Sequence, residues 1–398
     1  MKNGWNTSPL ADLCEVFDDG DWIESKDQSD KGIRLIQTGN VGEGVFKDRI
    51  EKARYIAEAT FKRLRCNEIF EGDCLISRLP DPVGRSCILP DTGERMITAV
   101  DCTIVRFKPN KFLPTLFSYY TQSDAYLGAI NRECTGTTRN RISRSKLGQI
   151  IIPVPPIPEQ QRIVGVLDEA FEGIAIAKDN AEKNVENSRS LFESYLQSVF
   201  THHGEGWVEK QLSNVCAITS TLVDPRKKEF LDLVHVGAGN IESKTGILGD
   251  LKTARDERLV SGKFLFDTSM VLYSKIRPYL MKVARPDFDG LCSADMYPLA
   301  PVPDQITRDY LFHLLLSKGF TDYAIQGSAR AGMPKVNREH LFEFKVWLPA
   351  VKKQIEIAEK LDELHQETQR LDSIYERKLT ALGSLKKSLL HQAFTGNL

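Results

Sequence analysis

The residues of this sequence with the clearest chemical potential are arginines and lysines gathered in short segments. Residues 132–146 hold five cations and one acid, and residues 270–285 hold four cations and no acid, with Tyr273 and Tyr279 among them. Residues 327–338 add three more cations. Basic side chains on loops neutralise phosphates, and arginine also reads guanine edges through two hydrogen bonds. These segments predict a nucleic-acid surface, although any one of them could equally be an ordinary solvated basic surface.

The candidate DNA contacts are cations of these segments. Arg78 is added to them, since Ser77-Arg78 resembles Ser274-Lys275. They are Arg78, Arg132, Arg139, Arg141, Arg144, Lys146, Lys275, Arg277, Arg330, Lys335 and Arg338. The whole chain is nearly neutral, with 53 Lys and Arg against 54 Asp and Glu, so DNA binding would depend on these local clusters. Residues 159–200 carry eight acids and four bases, and we expect that segment to face a protein partner.

Sequence motifs for catalysis are missing. The chain has no Walker A pattern, no G-x-S-x-G, no H-E-x-x-H and no Asn-Pro-Pro-aromatic motif, and its glycines at 39, 42 and 44 have the wrong spacing for a dinucleotide site. Eight cysteines are scattered without a CxxC pair or a neighbouring histidine cluster, so no zinc site is expected. The pair His202-His203 lies in a polar linker and is expected to be solvated. We therefore expect neither a catalytic residue nor a metal in this chain.

Length and composition are typical of a globular protein with two or three domains. The 398 residues are 41% hydrophobic and 27% charged. No apolar run approaches the roughly 18 residues of a membrane span, and the first residues lack the apolar region of a signal peptide. Scattered cysteines then suit a reducing compartment, so a cytoplasmic location without membrane association is expected.

The elements that must position the basic residues occur twice. Trp5 recurs as Trp207, and the Ser77-Arg78 pair recurs as Ser274-Lys275, with the offset shrinking along the chain from 202 to 194. From Leu147 to Thr201 the offset stays at 194 without a gap, and 14 of those 55 positions are identical. An ordered series of this kind indicates a duplicated unit made of a domain and a helix.

Each copy begins with a pattern typical of mixed α/β structure. Strands are expected at 33–36, 73–77 and 96–107 in the first copy and at 231–236 and 270–273 in the second, with helices at 112–130 and 307–325. A long helix follows in each copy. The expected organisation is a first domain over 1–153, a long helix over 154–201, a second domain over 202–347 and a second long helix over 348–398.

The long helices carry apolar or small residues at steps of three and four, which indicates a coiled-coil seam. The expected seam residues are Ile163, Leu167, Ala177, Ala181, Asn184, Leu191, Ile357, Leu361, Thr368, Leu371, Tyr375 and Leu385. Antiparallel pairing about a pseudo-twofold axis would place small residues opposite large ones and Asn184 opposite Thr368 as a polar layer. The alternative is two amphipathic helices, each packed on its own domain.

Such an arrangement would be a circular molecule with two basic domains held apart by helices. Helices of about 36 residues span roughly 54 Å, or on the order of 15 base pairs. Two DNA-reading domains placed in this way would recognise two short sequences separated by an unread spacer.

The segment 152–161 (IPVPPIPEQQ), followed by a long helix, resembles the first conserved region of type I restriction–modification specificity subunits. The preceding Gly136-Thr137-Thr138 and the C-terminal segment 392–398 (QAFTGNL) are also similar to that family, and the resemblance covers the whole chain. The second copy departs from the pattern at 349–354 (PAVKKQ), where only the first proline and the glutamine are kept.

The resemblance implies a non-catalytic subunit whose two target recognition domains each read half of a bipartite site in double-stranded DNA. It also implies two methyltransferase subunits that use S-adenosylmethionine, and restriction–translocase subunits that use ATP and Mg²⁺, with no cofactor in this chain. Two alternatives remain open at this point. One is a coiled-coil scaffold that binds no DNA, and the other is a single-chain DNA-modifying enzyme with an unrecognised site.

Overall fold

The computed structural model describes residues 4–136, 140–328 and 333–398. Thr137, Thr138, Arg139 and Arg330 lie outside these described residues. The chain divides into two compact units, of which the first extends to Ala181 and includes Arg377–Leu398, and the second is Glu182–Glu376. Each unit combines a mixed α/β domain with a segment of each of two long helices, which confirms the expected fold class.

The described part of the first unit contains a mixed sheet and an antiparallel sheet. The mixed sheet has the order Gln28–Ser29, Tyr55–Ile56, Ile33–Ile36, Met96–Thr98 and Glu68–Ile69, with the third and fourth strands parallel. The antiparallel sheet has the order Cys14–Asp19, Cys102–Phe107, Cys74–Ser77 and Ser86–Ile88. A separate pair joins Asn6–Pro9 to Ile151–Val154.

The second unit repeats this plan within its described residues. Its mixed sheet has the order Leu222–Val223, Lys263–Phe266, Gly290–Ser293, Val234–Val236 and Lys252–Thr253. Its antiparallel sheet has the order Cys216–Ala217, Met296–Pro301, Val271–Ser274 and Val283–Ala284, and Val208–Gln211 pairs with Lys345–Leu348. In both units, therefore, the middle strands of the antiparallel sheet are equivalent segments of the duplicated sequence.

The expected strand over 96–107 is wrong in one respect, because it is two strands in two different sheets. A turn separates them, closed by the hydrogen bond from the Cys102 amide to the Ala99 carbonyl at 2.8 Å. Both strands are buried, and only Asp101 among the three residues between them is polar. Hydrophobicity alone therefore does not mark the turn.

The expected helices at 112–130 and 307–325 are each broken in two. The serines Ser123 and Ser317, which are 194 residues apart, have extended backbones, and each side-chain oxygen accepts a hydrogen bond from the amide three residues later at 3.3 Å. Each serine thus caps a new helix. The shorter helices are Glu58–Leu64, Pro114–Tyr120, Asp124–Glu133, Arg144–Gly148, Arg308–Leu316, Lys318–Gln326 and Arg338–Glu343. Single 3₁₀ turns occur at Leu10–Leu13, Ser25–Asp27, Thr38–Asn40, Ile50–Lys52, Leu212–Asn214, Ala238–Asn240 and Pro278–Leu280.

The long helices are Ile157–Thr201 and Val351–Thr395, each of 45 residues. At about 1.5 Å per residue each is roughly 68 Å long. Among the described residues, no helix is both long enough and apolar enough to cross a membrane.

A buried glutamine ties the start of the first long helix to its domain. Gln160 accepts a hydrogen bond from the Leu113 amide at 2.9 Å and donates to the Lys111 carbonyl at 3.1 Å and the Pro155 carbonyl at 2.8 Å. One side chain thereby provides partners for three backbone groups, one amide and two carbonyls.

Gln354 makes the same contacts in the second unit. It accepts from the Thr307 amide at 2.9 Å and donates to the Gln305 carbonyl at 2.9 Å and the Pro349 carbonyl at 3.0 Å. The glutamine is thus retained in both copies because it performs one local task, although the surrounding Pro-rich segment differs.

Segments of the two long helices pack against each other in opposite directions within each unit. In the first unit, Arg162 donates to the Leu398 carbonyl at 2.7 Å, and the Lys386 ammonium lies 5.1 Å from the ring centre of Phe171. Moving forward along one helix therefore means moving backward along the other. The antiparallel direction expected from the sequence is confirmed inside each unit.

The seam itself differs in part from the expected one. Most of the expected residues are at least half-buried, but Asn184, Leu191 and Leu385 are exposed, the last two by 62% and 47%. The buried set is Ile163, Leu167, Ala181, Ile357, Leu361 and Thr368, and the half-buried set is Ala177, Leu371 and Tyr375.

In the second unit the seam passes through Phe192 rather than its neighbour Leu191. Phe192 is only 7% exposed and its ring lies 5.0 Å from that of His365, while Ser188 donates to Asp372 at 3.3 Å. Spacings of three and four are both compatible with a helix, so two adjacent apolar residues cannot be told apart by period alone.

The expected polar layer of Asn184 on Thr368 is therefore wrong. Asn184 is exposed, and the Thr368 hydroxyl instead donates to the Leu364 carbonyl of its own helix at 2.9 Å. With Asn184 opposite Thr368, an antiparallel pair would place Ser188 opposite Leu364, but Ser188 contacts Asp372 instead. The observed register therefore differs from the one expected from size matching.

Candidate nucleic-acid interface

The end of the strand Cys74–Ser77 organises the basic residues of the first domain. The amide of Arg78 donates to the Asp101 carbonyl at 2.9 Å, and the carbonyl of Arg78 accepts from the Ile142 amide at 3.4 Å. The chain of the basic segment 132–146 is thereby held beside the strand end, in the neighbourhood that the duplicated Ser-Arg and Ser-Lys pairs indicate.

The second domain has the same frame at the end of Val271–Ser274. The Lys275 amide donates to the Asp295 carbonyl at 3.1 Å, and its carbonyl accepts from the Val336 amide at 2.8 Å. The described part of the segment 327–338 therefore occupies the place that 132–146 occupies in the first domain. In both cases backbone hydrogen bonds, which do not depend on side-chain type, set the geometry.

Arg78 is a buried structural residue in this arrangement. Its side chain is 4% exposed, its guanidinium donates to the Val100 carbonyl at 2.5 Å, and it lies 3.2 Å from the Asp19 carboxylate. A guanidinium so enclosed braces the loop from inside, so we leave Arg78 out of the proposed DNA surface.

Acidic neighbours partly neutralise the other cations of the first cluster. Arg144 lies 2.5 Å from Asp18 and 3.8 Å from Asp19, and Arg141 lies 3.9 Å from Asp101. The arginine side chains are still about half exposed. They can exchange these carboxylates for phosphates, because an exposed ion pair contributes little stability.

Arg132 and Lys146 lie on helices at the edge of the first cluster. Arg132 is exposed in the last turn of Asp124–Glu133. Lys146 donates to the Glu133 carbonyl at 3.2 Å and lies 3.3 Å from the Glu133 carboxylate. Both remain candidates for phosphate contact at the rim.

Lys275 of the second domain is mostly enclosed. Its ammonium donates to the Ala294 carbonyl, lies 3.8 Å from Asp295 and lies 5.2 Å from the ring centre of Tyr297. Burial, with a smaller effect of the Lys335 charge, lowers the pKa of Lys275 from its ordinary value. Like Arg78, Lys275 therefore holds the neighbouring loops in place more than it faces solvent.

The exposed cations of the second cluster are Arg277, Lys335 and Arg338. Lys335 lies 3.8 Å from Asp295, and Arg338 begins the helix Arg338–Glu343. Lys335 also bridges to Ile276, which places it directly beside the turn that carries Arg277. The structure thus gathers three cations into one cluster, although the first and the last of them, Arg277 and Arg338, are 61 positions apart in the sequence.

Sequence reasoning missed Arg85, and it counted the equivalent Lys282 only as one of the four cations of residues 270–285; both are supporting cations. Arg85 donates to four backbone carbonyls, among them those of Val41 at 2.7 Å and Thr38 at 2.9 Å. Lys282 donates to the Ala238 carbonyl at 2.5 Å. The signal was present, because the two residues are 197 apart, the same offset as Ser77 and Ser274.

The cysteines and histidines of the described chain do not form a site. No group of three or more His, Cys, Asp or Glu side chains within residues 4–136, 140–328 and 333–398 could hold a metal ion. The cysteines are free, and burial raises the pKa of the Cys102 thiol to about 12. The His203 ring packs 4.7 Å from that of Trp347.

Fold and site together define a duplicated α/β protein with a basic cluster at the same strand end of each domain. A family described as the type I restriction modification DNA specificity domain matches residues 2–187 and 204–376. The chain belongs to this family, and the resemblance seen in the sequence is confirmed.

Individual relatives agree with that assignment. The type I restriction enzyme EcoDI specificity subunit of Escherichia coli is 34% identical over 192 residues, which are 48% of this chain and 42% of the relative. The StySPI specificity subunit of Salmonella potsdam is 21% identical over all of this chain and 90% of the relative. The match thus spans less than half of the E. coli relative's length.

Two solved structures share the fold. A chain from work on complex assembly and conformational transition of the type I R-M system has a TM-score of 0.78 at 16% identity, covering 100% of this chain and 99% of that one. The HsdS subunit from Thermoanaerobacter tengcongensis has a TM-score of 0.64 at 17% identity, covering 100% and 98%. At these identities the likeness concerns the fold.

Proposed function

We propose that this chain is the DNA sequence-recognition subunit of a type I restriction–modification complex and that it reads a bipartite site in double-stranded DNA. One observation carries the proposal. Two copies of the same domain each present exposed cations on a backbone frame that is identical in its hydrogen bonding. In the first domain these are Arg132, Arg141 and Lys146, with Arg144 half-buried beside them, and in the second Arg277, Lys335 and Arg338.

The chemistry of the two clusters suits a duplex. Exposed arginine and lysine side chains neutralise phosphates, while the supporting residues Arg78, Arg85, Lys275 and Lys282 keep the loops in place. The two clusters also differ in their neighbouring acids, since three aspartates lie beside the first and Asp295 lies beside the second. Two frames with different surfaces would read two different half-sites.

We further propose that this chain is non-catalytic and works with two methyltransferase subunits and with restriction–translocase subunits in the cytoplasm. In that assembly the S-adenosylmethionine, ATP and Mg²⁺ would be bound by the partners. Family membership and the lack of recognisable catalytic motifs in the sequence support this division of labour.

Salt-dependent DNA binding tests the proposal. Replacing Arg141 in the first domain, or Lys335 in the second, by alanine should lower the slope of log affinity against log salt by about one for each lost phosphate contact. Arg226→Ala is the matched control, because Arg226 is an exposed arginine paired with Asp224 outside both clusters. Slopes that change equally in all three variants would contradict the assignment of these clusters.

The two alternatives predict different results. A scaffold would show no salt-dependent shift of duplex DNA, and a single-chain enzyme would transfer methyl groups without partners. Sequencing the methylated positions in a host that carries the system would identify the bipartite target directly. A host methylome without any new site would contradict the proposal.

A further inference from the structure

The turn after the strand Val271–Ser274 presents an aromatic side chain beside the cations of the second cluster. Tyr279 lies in the 3₁₀ turn Pro278–Leu280 and is 51% exposed, while Pro278 beneath it is buried. The turn is flanked by Arg277 and Met281, both with a φ of 50°. Non-glycine residues rarely adopt this backbone conformation, which persists only where the surroundings enforce it.

Backbone hydrogen bonds enforce the shape of this turn. The Arg277 amide donates to the Pro334 carbonyl at 2.9 Å, and the Leu280 and Met281 amides donate to the Arg277 and Pro278 carbonyls at 2.9 Å. These hydrogen bonds fix the backbone of the turn. Rigidity matters here because a side chain that is already positioned loses less entropy when it binds.

The side chains at the tip are free to meet a ligand. Within the part of the chain that the structure describes, neither the Arg277 guanidinium nor the Tyr279 hydroxyl makes a hydrogen bond or ion pair. Lys335 stands beside the turn through its bridge to Ile276. An exposed aromatic ring set among cations is suited to a ligand that offers both phosphates and stacked bases.

We propose that Arg277 and Tyr279 form the base-contacting tip through which the second domain reads its half-site. This inference rests on the proposed function and assigns a specificity role to two residues. Arg277 would donate to the edge of a base, and Tyr279 would pack against or between neighbouring bases. Lys335 and Arg338 would hold the flanking phosphates.

The equivalent segment of the first domain differs both in its residues and in its backbone. At the offset of 197, Pro80 and Pro82 replace Arg277 and Tyr279, and Gly84, with a φ of 88°, replaces Met281. These described positions of the first domain form no 3₁₀ turn, and Pro80 has no amide to make the bond that Arg277 makes to Pro334. The first domain therefore has neither the arginine nor the ring nor the anchored turn. The two copies thus differ in chemistry at the tip, as expected of an element that distinguishes one half-site from another.

The test is a binding selection from randomised duplex DNA with the full chain assembled with its methyltransferase partners. Arg277→Ala and Tyr279→Ala should each relax the preference at one or two positions of a single half-site by about 5- to 150-fold, the range expected for a lost base contact. The other half-site should be unchanged. Tyr279→Phe should keep the preference if ring packing is what matters.

The matched control is Arg258→Ala, since Arg258 is also an exposed arginine with a positive φ, of 52°, in the second unit. It should leave both half-sites unchanged. Thermal unfolding of each variant separates loss of reading from loss of structure. Uniformly weaker binding with intact preferences, or no effect of either alanine, would overturn the tip assignment. Failure of the unaltered complex to select any sequence would instead overturn the proposed function.

Discussion

The junctions that join each domain to the long helices use equivalent positions with different chemistry. Four positions of each junction correspond, and three of them carry different residue types in the two units. The pairs are Tyr119 and His313, Asp168 and Asp362, Phe171 and His365, and Lys386 and Phe192, each 194 residues apart. A duplicated frame can therefore keep its geometry while only the aspartate keeps its identity.

The first junction is built on rings and one lysine. The Tyr119 hydroxyl donates to Asp168, and its ring lies 5.2 Å from that of Phe171 in an edge-on arrangement. Lys386, whose ammonium lies over the Phe171 ring, donates to the Gln122 side chain at 2.8 Å. Burial lowers the pKa of Lys386 and raises that of Tyr119.

The second junction is ionic. Asp362 lies 2.8 Å from the Nε2 atom of His313, which is 1% exposed, and accepts a pair of hydrogen bonds from Arg285. Arg285 also donates to Asp309 at 2.6 Å and lies 4.5 Å from the ring centre of Phe312. This junction therefore depends on charges that must remain paired because they are largely removed from water.

Protonation follows from these contacts. Burial would raise the pKa of Asp362, but hydrogen bonds from His313 and Arg285 outweigh burial and hold that pKa at about 2. Burial lowers the pKa of His313 and of His365. At neutral pH the second junction thus combines neutral imidazoles with an ionised Asp362–Arg285 pair.

The largest expected difference between the junctions is the effect of removing the shared aspartate. Asp362→Ala leaves Arg285 with one carboxylate and His313 without its acceptor, and should cost about 3 kcal/mol of unfolding free energy. Asp168→Ala removes the acceptor of one tyrosine hydrogen bond and should cost about 1 kcal/mol. Hydrogen exchange in Arg308–Leu316 and in Pro114–Tyr120 measures the two effects separately. Equal losses would mean that the junctions are energetically alike despite their chemistry.

The buried glutamines Gln160 and Gln354 should instead contribute equally to the two units, since their contacts are the same in both. Gln160→Ala and Gln354→Ala each leave one amide and two carbonyls without a protein partner, and each should cost about 2 kcal/mol. Denaturant unfolding followed by hydrogen exchange would give both values. A difference of more than about 1 kcal/mol would show that equal geometry does not mean equal energy here.

The pH dependence should distinguish the units by sign. The folded pKa of His313 is lowered, so the unfolded chain binds the proton more readily and the second unit loses stability as pH falls below about 6.5. In the first unit, burial raises the pKa of Asp21 to about 6, so this residue contributes added stability as pH falls through that value. Hydrogen exchange between pH 7.5 and 5 measures both trends.

Two variants control for these groups. His313→Gln keeps a donor toward Asp362 without titrating in this range, and should flatten the pH dependence of the second unit. Asp21→Asn should likewise flatten the pH dependence of the first unit. If the trend of the second unit persists in His313→Gln, other groups, such as His365 or His235, are responsible.

The smallest expected effect concerns Lys386. Replacing it with methionine removes a cation from the face of Phe171 and a hydrogen bond to Gln122, but also removes the cost of half-burying an ammonium group. The net change should stay within about 1 kcal/mol, measured by thermal unfolding. A loss above about 2 kcal/mol would make the first junction as dependent on charge as the second.

The sequence by itself determined the duplication, the order of domains and helices, and the family. These features depend on local signals, such as helical period, proline positions and ordered offsets, that are read along the chain. The helix breaks at Ser123 and Ser317 were not predicted, although the shared offset and a capping residue type were both visible in the sequence. The strand break at 99–101 was not visible, since its flanks are equally apolar.

Only the tertiary structure decided which residues on these elements face inward. It buried Phe192 and exposed Leu191, enclosed Arg78 and left Arg277 outside, and joined Arg285 to Asp362 across 77 positions. An arginine is the same letter in the sequence whether it supports a loop or faces solvent. Two adjacent apolar residues likewise fit the helical period equally well. Burial depends on the partners that the fold brings from elsewhere in the chain, and those partners are not encoded in the local pattern of either residue.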